Sequence, residues 1–210
     1  MNEFVLYVDF DSTLYDAKRF GQDLFEVIAK QADVSSRNVA ATVESFFTHP
    51  QLGGYDFVGH ITSFGLDAKI MWRQLEELLA KNNYLYQDSS DFIRTVRHYG
   101  YRPKILSFGD ERFQKLKILS VIPLLTGANS SSLDVIVIDH KKADYIRAHT
   151  PGQVGVLIDD VPNQKLPAGF TEINIDRRLK LSNPVKNKDG YQISTLAQAH
   201  HILAQLTKSF

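Results

Sequence analysis

Five short apolar runs, each closed by a turn or a polar residue, limit the architectures open to this chain: Phe4–Val8, Lys104–Leu106, Val135–Ile138, Val154–Ile158 and Glu172–Ile175. Strands covered on both faces read as continuous apolar stretches, because helices lie on both sides of a parallel sheet. Helical patterns fall where crossovers are needed, at Phe113–Leu119 and Lys141–Ala148, and Thr195–Leu206 closes the chain as an amphipathic helix. This alternation predicts an α/β fold built on a doubly wound, mostly parallel sheet.

The rhythm breaks between the first and second runs, where the interval is far longer than a crossover requires. Its apolar residues recur at helical spacing: Phe20, Leu24, Val27 and Ile28, then Ile70, Met71, Leu75, Leu78 and Leu79. Ser35 or Ser36 is placed to cap a helix running through Val39, Val43, Phe46 and Phe47, and Tyr55–Phe64 reads as another ended by Gly65. Residues 16–88 are therefore expected to form an all-helical inserted cap, and residues 1–15 and 89–210 the core, which starts again with a helix at Ser89 or Ser90. Ala128–Leu133 and Asn183–Gly190 read as loops. A length of 210 residues suits one core of ordinary size plus such an insert.

Charge narrows the partners. The 24 basic and 24 acidic residues cancel, so neither nucleic acid nor an anionic membrane is an expected partner. Cysteine is absent, which removes disulfides, thiolate metal sites and thiol nucleophiles. No apolar run approaches the roughly 20 residues of a membrane span. MNEFVLYVDFD lacks the pattern of a secretory leader, so the expected location is cytoplasmic.

Carboxylates then stand out at strand ends. Asp9 and Asp11 follow the run Val5–Val8, and Asp159 and Asp160 follow Val154–Ile158. Singly, each is an ordinary turn or cap residue. Together they crowd one end of a parallel sheet, where ligands collect. At about 4 Å and an effective dielectric near 20, each like-charged pair repels by roughly 4 kcal/mol, so the cluster calls for a cation or shared protons. Oxygen donors point to a hard ion, Mg2+ first. Ser107 ends the second strand, where its hydroxyl and the backbone N–H of Phe108 suit a phosphate oxygen. Lys141 and Lys142 begin the helix after the third strand, and either could hold a phosphoryl group.

Read in order, these segments resemble the haloacid dehalogenase superfamily. Its first motif, an apolar strand followed by D-x-D-x-T, is matched by Val8-Asp9-Phe10-Asp11-Ser12-Thr13; its second by Ser107; its third by Lys142, with Lys141 competing; its fourth by Leu157-Ile158-Asp159-Asp160, with Asn163 following. The resemblance spans Phe4 to Asn163. It implies a phosphatase in which Asp9 is the nucleophile and forms an aspartyl-phosphate. It makes Asp11 the general acid and base, starting protonated because of the negative charge around it. It assigns phosphate to Ser107, Phe108 and Lys142, and Mg2+ to Asp9, the Asp11 backbone carbonyl, Asp159 and Asp160, the last directly or through water. The implied substrate is a small soluble phosphate ester. A sugar phosphomutase and a non-catalytic phospho-ligand sensor are the alternatives. Tyr15, Lys18, Arg19, His49, Tyr55 and His60 are candidate cap contacts, each read first as a surface or packing residue. Oligomeric state is not written in the sequence.

Overall fold

The computed structural model describes residues 4–49, 53–127, 133–188 and 190–207. Its main sheet contains Val5–Val8 (β1), Pro103–Phe108 (β4), Asp134–Ile138 (β5), Gly155–Asp159 (β6), Phe170–Ile175 (β7), Val185–Lys186 (β8) and Gly190–Ile193 (β9), in the order β5-β4-β1-β6-β7-β9-β8. All pairings are parallel except that of β8 with β9. The five apolar runs are thus the five leading strands, within a few residues of the expected bounds. β1 and β6 are buried at every position, which is why they lack alternation.

β1 is central, between β4 on one side and β6 on the other. That arrangement places the carboxyl ends of β4, β1 and β6 side by side, at a point where the order of strands reverses direction. The helices Ser89–His98 (α5), Glu111–Thr126 (α6), Lys142–His149 (α7) and Leu196–Thr207 (α8) belong to the core region of the chain. Among the described residues, no helix is long and apolar enough to cross a membrane.

The insert holds Ala17–Ala32 (α1), Ser36–Thr42 (α2), Phe57–Ser63 (α3) and Ala68–Lys81 (α4). Side-chain caps open each of them: Asp16, Ser35, Asp56 and Asp67 accept from the backbone N–H three residues on. Phe20, Leu24 and Ile28 of α1 and Met71, Trp72, Leu75 and Leu79 of α4 are buried, as the helical period requires.

Two expectations are corrected. The insert is not all-helical: after one 3-10 turn, Val43–Phe46, the chain forms an antiparallel ribbon of Phe47–His49 (β2) and Gly53–Tyr55 (β3). The helix drawn through Phe46 and Phe47 therefore stops at Thr42. Nor is Asn183–Gly190 wholly loop, since β8 lies within it and pairs with β9. Most of the loop expected at Ala128–Leu133, residues 128–132, lies outside the described residues.

Candidate active site

Asp9 stands one residue beyond β1, its backbone N–H bonded to the Ile158 carbonyl at 2.9 Å. This ties it to the strand that ends in Asp159. The turn after it is tight: the Phe10 carbonyl accepts from the N–H groups of Leu14 and Tyr15, and Ser12 takes a left-handed φ of 60°. Arg177, just past β7, braces the turn by donating to the Thr13 carbonyl through Nε and Nη2 while pairing with Asp88 at 3.0 Å. No local pattern announces this brace, because Arg177 and Thr13 are distant along the chain.

Asp9, Asp159 and Asp160 each offer a carboxylate oxygen, all within 4.8 Å of one another. Lys142 joins them. Its ammonium is buried and donates to Asp9 Oδ1 at 2.5 Å and to Asp159 Oδ2 at 2.6 Å. Lys141, the competing candidate, is exposed at the start of α7. Asp159 Oδ1 is held by the Val161 N–H, and Asn174 Nδ2 donates to the carbonyls of both Asp159 and Asp160.

Three carboxylates and one ammonium carry a formal charge of −2 in a largely buried site. Burial, with Asp159 and Asp160 adding to it and Lys142 opposing it, raises the Asp9 pKa well above the usual carboxylate range. Burial and then Asp159 push Asp160 up to about 6. Burial alone would lower the Lys142 pKa, but the carboxylates of Asp159 and Asp9 outweigh it and raise it. In this state Asp9 and Asp160 therefore favour retained protons. A divalent cation would replace them, and an all-oxygen donor set with two surplus negative charges fits Mg2+.

Ser107 is buried at the end of β4 and lines the same cavity as Asp9, Asp11, Lys142 and Asp160. Phe108 also lines it. The Gly109 N–H that follows is bonded to the Ile138 carbonyl at 2.9 Å.

Asp11 sits in different surroundings from those expected. Its carboxylate is not part of the acidic triad; it receives Lys117 Nζ at 2.7 Å on both oxygens and Gln114 Nε2 at 2.9 Å. Lys117 is only 3% exposed. The rings of Phe10, Tyr15, Phe20 and Phe113 surround its ammonium at 5.2 to 5.8 Å, close enough for cation–π attraction. Both donors come from α6, whose start is fixed by Asp110 accepting from the Phe113 N–H. Asp11 thus faces an ammonium and an amide in place of the surrounding negative charge that the sequence predicts. Lys117 and Gln114 were missed. The available signal was that Lys117 falls on the buried stripe of α6 with Phe113 and Val121, a place where an unpaired lysine would be costly.

The cavity of about 350 Å³ is completed by residues of the insert, among them Phe20, Leu24, Val43, Phe47 and Tyr55. Of the other cap candidates, Lys18 and Arg19 are exposed, while Tyr15 and His60 are buried.

No protein-family model matches this chain, and no curated protein matches it in sequence. Solved structures do resemble it over nearly its whole length. A haloacid dehalogenase-like hydrolase from Burkholderia xenovorans LB400 is 19% identical, with a TM-score of 0.66 and 99% of each chain covered. A HAD phosphatase from Thermococcus onnurineus is also 19% identical, with a TM-score of 0.60, 95% of this chain and 97% of that one covered. The HAD-hydrolase YfnB from Bacillus subtilis, a structure bound to magnesium, is 14% identical, with a TM-score of 0.62, 97% of this chain and 99% of that one covered. At such low identities, what is shared is the arrangement of the backbone. The chain has the haloacid dehalogenase-like hydrolase fold.

Proposed function

We propose that the protein is a Mg2+-dependent phosphomonoester hydrolase that works through a phosphoryl group carried on Asp9. The observation that carries this reading is the convergence, at one end of the sheet, of a carboxylate on β1's end, a hydroxyl on β4's end, a buried lysine and a second acidic pair. The resemblance to HAD hydrolases, including a phosphatase and a magnesium-bound member, supports it.

An Asp9 oxygen attacks phosphorus as the bond from phosphorus to the ester oxygen breaks, and Asp11 passes to that oxygen a proton drawn from the Lys117 ammonium that donates to it. A water oxygen then attacks the same phosphorus, the bond to Asp9 breaks, and Asp11 takes the water's proton and returns it to Lys117. Lys117 and Gln114 hold the Asp11 carboxyl group in one orientation for both transfers. Ser107 and Lys142 face the transferring oxygens, where negative charge must be offset. Asp9, Asp159 and Asp160, with the Asp11 backbone carbonyl, would hold Mg2+, which when bound offsets phosphate charge and allows the carboxylates to sit together unprotonated. Dehalogenases of this superfamily act on carbon and lack an acid/base carboxylate two residues after the nucleophile; Asp11 favours phosphorus chemistry.

The experiment is phosphate release from p-nitrophenyl phosphate by the wild type, Asp9→Asn and Asp11→Asn, with Mg2+ and with EDTA. Magnesium-dependent release that Asp9→Asn abolishes is the expected result. Equal background rates in wild type and Asp9→Asn would reject an enzyme and leave the sensor reading. A sugar phosphate isomerised without free phosphate would indicate a mutase.

A further inference from the structure

The lining of the cavity is of two chemical kinds. Its charged side chains are Asp9, Asp11, Lys117, Lys142 and Asp160, with Lys117 paired to Asp11 and Lys142 to Asp9. The rest comes largely from α1, the 3-10 turn, the ribbon and α6, and it presents Leu24, Phe25, Val43 and Phe47 together with Phe20 and Phe113, whose rings also face the Lys117 ammonium.

The one hydroxyl among the lining side chains of the insert, that of Tyr55, is already committed. Tyr55 Oη lies 2.7 Å from His60 Nδ1, His60 Nε2 lies 2.8 Å from Thr42 Oγ1, and the Thr42 hydroxyl donates to the Val39 carbonyl. Since Thr42 spends its proton on Val39, it accepts from His60 Nε2–H, and His60 Nδ1 accepts from Tyr55. His60 is then neutral, in keeping with a pKa lowered mainly by burial. The network is closed, and what Tyr55 offers the cavity is its ring.

We infer that the alcohol released by this site is uncharged and mainly apolar or aromatic, so that the natural substrates are phosphate monoesters of such alcohols and not sugar phosphates or phosphorylated carboxylic acids. This rests on the phosphatase reading and deepens it. Against the insert's side of the lining, a hydroxyl-rich leaving group would give up its water for apolar side chains, at a cost of roughly tenfold in kcat/KM per stranded group, and a carboxylate would lose more; Gln114 Oε1, buried without a partner, is an unpaired acceptor in the rest of the lining. An aromatic body instead exchanges water for the rings of Phe20, Phe47 and Tyr55. Gly21, on α1, also lines the cavity, and a Cβ placed there meets nothing within 4 Å. The space beside it belongs to the leaving group.

Benzyl phosphate, methyl phosphate, glucose 6-phosphate and 3-phosphoglycerate are all esters of aliphatic alcohols, which keeps leaving-group reactivity comparable. With Mg2+, kcat/KM for benzyl phosphate should exceed that for glucose 6-phosphate and 3-phosphoglycerate by at least about tenfold. Gly21→Leu should lower the ratio of benzyl to methyl phosphate turnover by about the same factor. Equal or better turnover of either polar ester, or an unchanged ratio in Gly21→Leu, would overturn the inference while leaving the phosphatase reading standing. If none of the four is hydrolysed, the phosphatase reading fails. Calorimetric binding of benzylphosphonate and glucose 6-phosphate to the wild type then still decides the cavity's preference: tighter phosphonate binding upholds it, and equal or weaker binding overturns it.

Discussion

At the scale of single residues, Asp11 and Lys117 depend on each other. Lys117 is buried among four aromatic rings, and Asp11 is the carboxylate paired with it. Removing one partner of a buried pair leaves the other charge uncompensated, which costs about 3 kcal/mol. Asp11→Ala should therefore be destabilised by roughly that amount in urea unfolding, and adding Lys117→Met should recover much of the loss. Additive destabilisation in the double variant would show that the two do not act as a pair. Asp160 gives a second prediction, with a definite sign. Its pKa is about 6 in the folded chain against 3.8 for an ordinary aspartate, so the fold binds this proton more tightly than the unfolded chain does. Its contribution favours folding at low pH and is lost as pH rises through about 6. The proposed Mg2+ would bind the deprotonated form and offset that loss. Saturating Mg2+ should raise Tm by a few degrees near pH 7.5 and by much less near pH 5. Equal shifts at both would separate the ion from Asp160.

At the scale of elements, the long strands and their polar ends were legible because sequence and burial report the same quantity. β1 and β6 are buried at every position, β4 is buried at Pro103 and from Ile105 to Ser107, and all three carry apolar residues through their middles. What escaped notice was short or relied on distant partners. β2 and β3 have three residues each, and Gly53-Gly54-Tyr55 carries no strand period. β8 is exposed, with Val185 and Lys186 at the sheet's edge. The ribbon matters to the site despite its size. Gly54 has φ +80°, and a Cβ there would lie 2.5 Å from Thr48 Oγ1 and 2.9 Å from Phe108 Cε1, beside the end of β4. Gly65, also in the insert, has φ +72° with nothing within 4 Å. Both Gly→Ala changes incur the backbone cost of about 1 kcal/mol. Only Gly54→Ala should also raise KM for the phosphate ester, because it pushes the ribbon away from Phe108. Matching steady-state constants for the two variants would contradict this.

At the scale of the whole molecule, the order β5-β4-β1-β6-β7 does the assembling. It brings Asp9, Ser107, Lys142 and Asp159 to one end of the sheet across a separation of 150 residues (159 − 9), something no local pattern expresses. The order of the four motifs along the chain made that convergence readable in advance; the side chains on α6 that hold Asp11 were not, because their partner is set by tertiary packing alone. Every role proposed for these residues requires the phosphoryl group to pass through Asp9. Acid-quenching the protein during incubation with a phosphate ester, followed by peptide mass spectrometry, tests this directly. The prediction is one phosphoryl group on the peptide containing Asp9 in the presence of Mg2+, absent from Asp9→Asn and from enzyme treated with EDTA. Steady phosphate release with Asp9 never modified would contradict it.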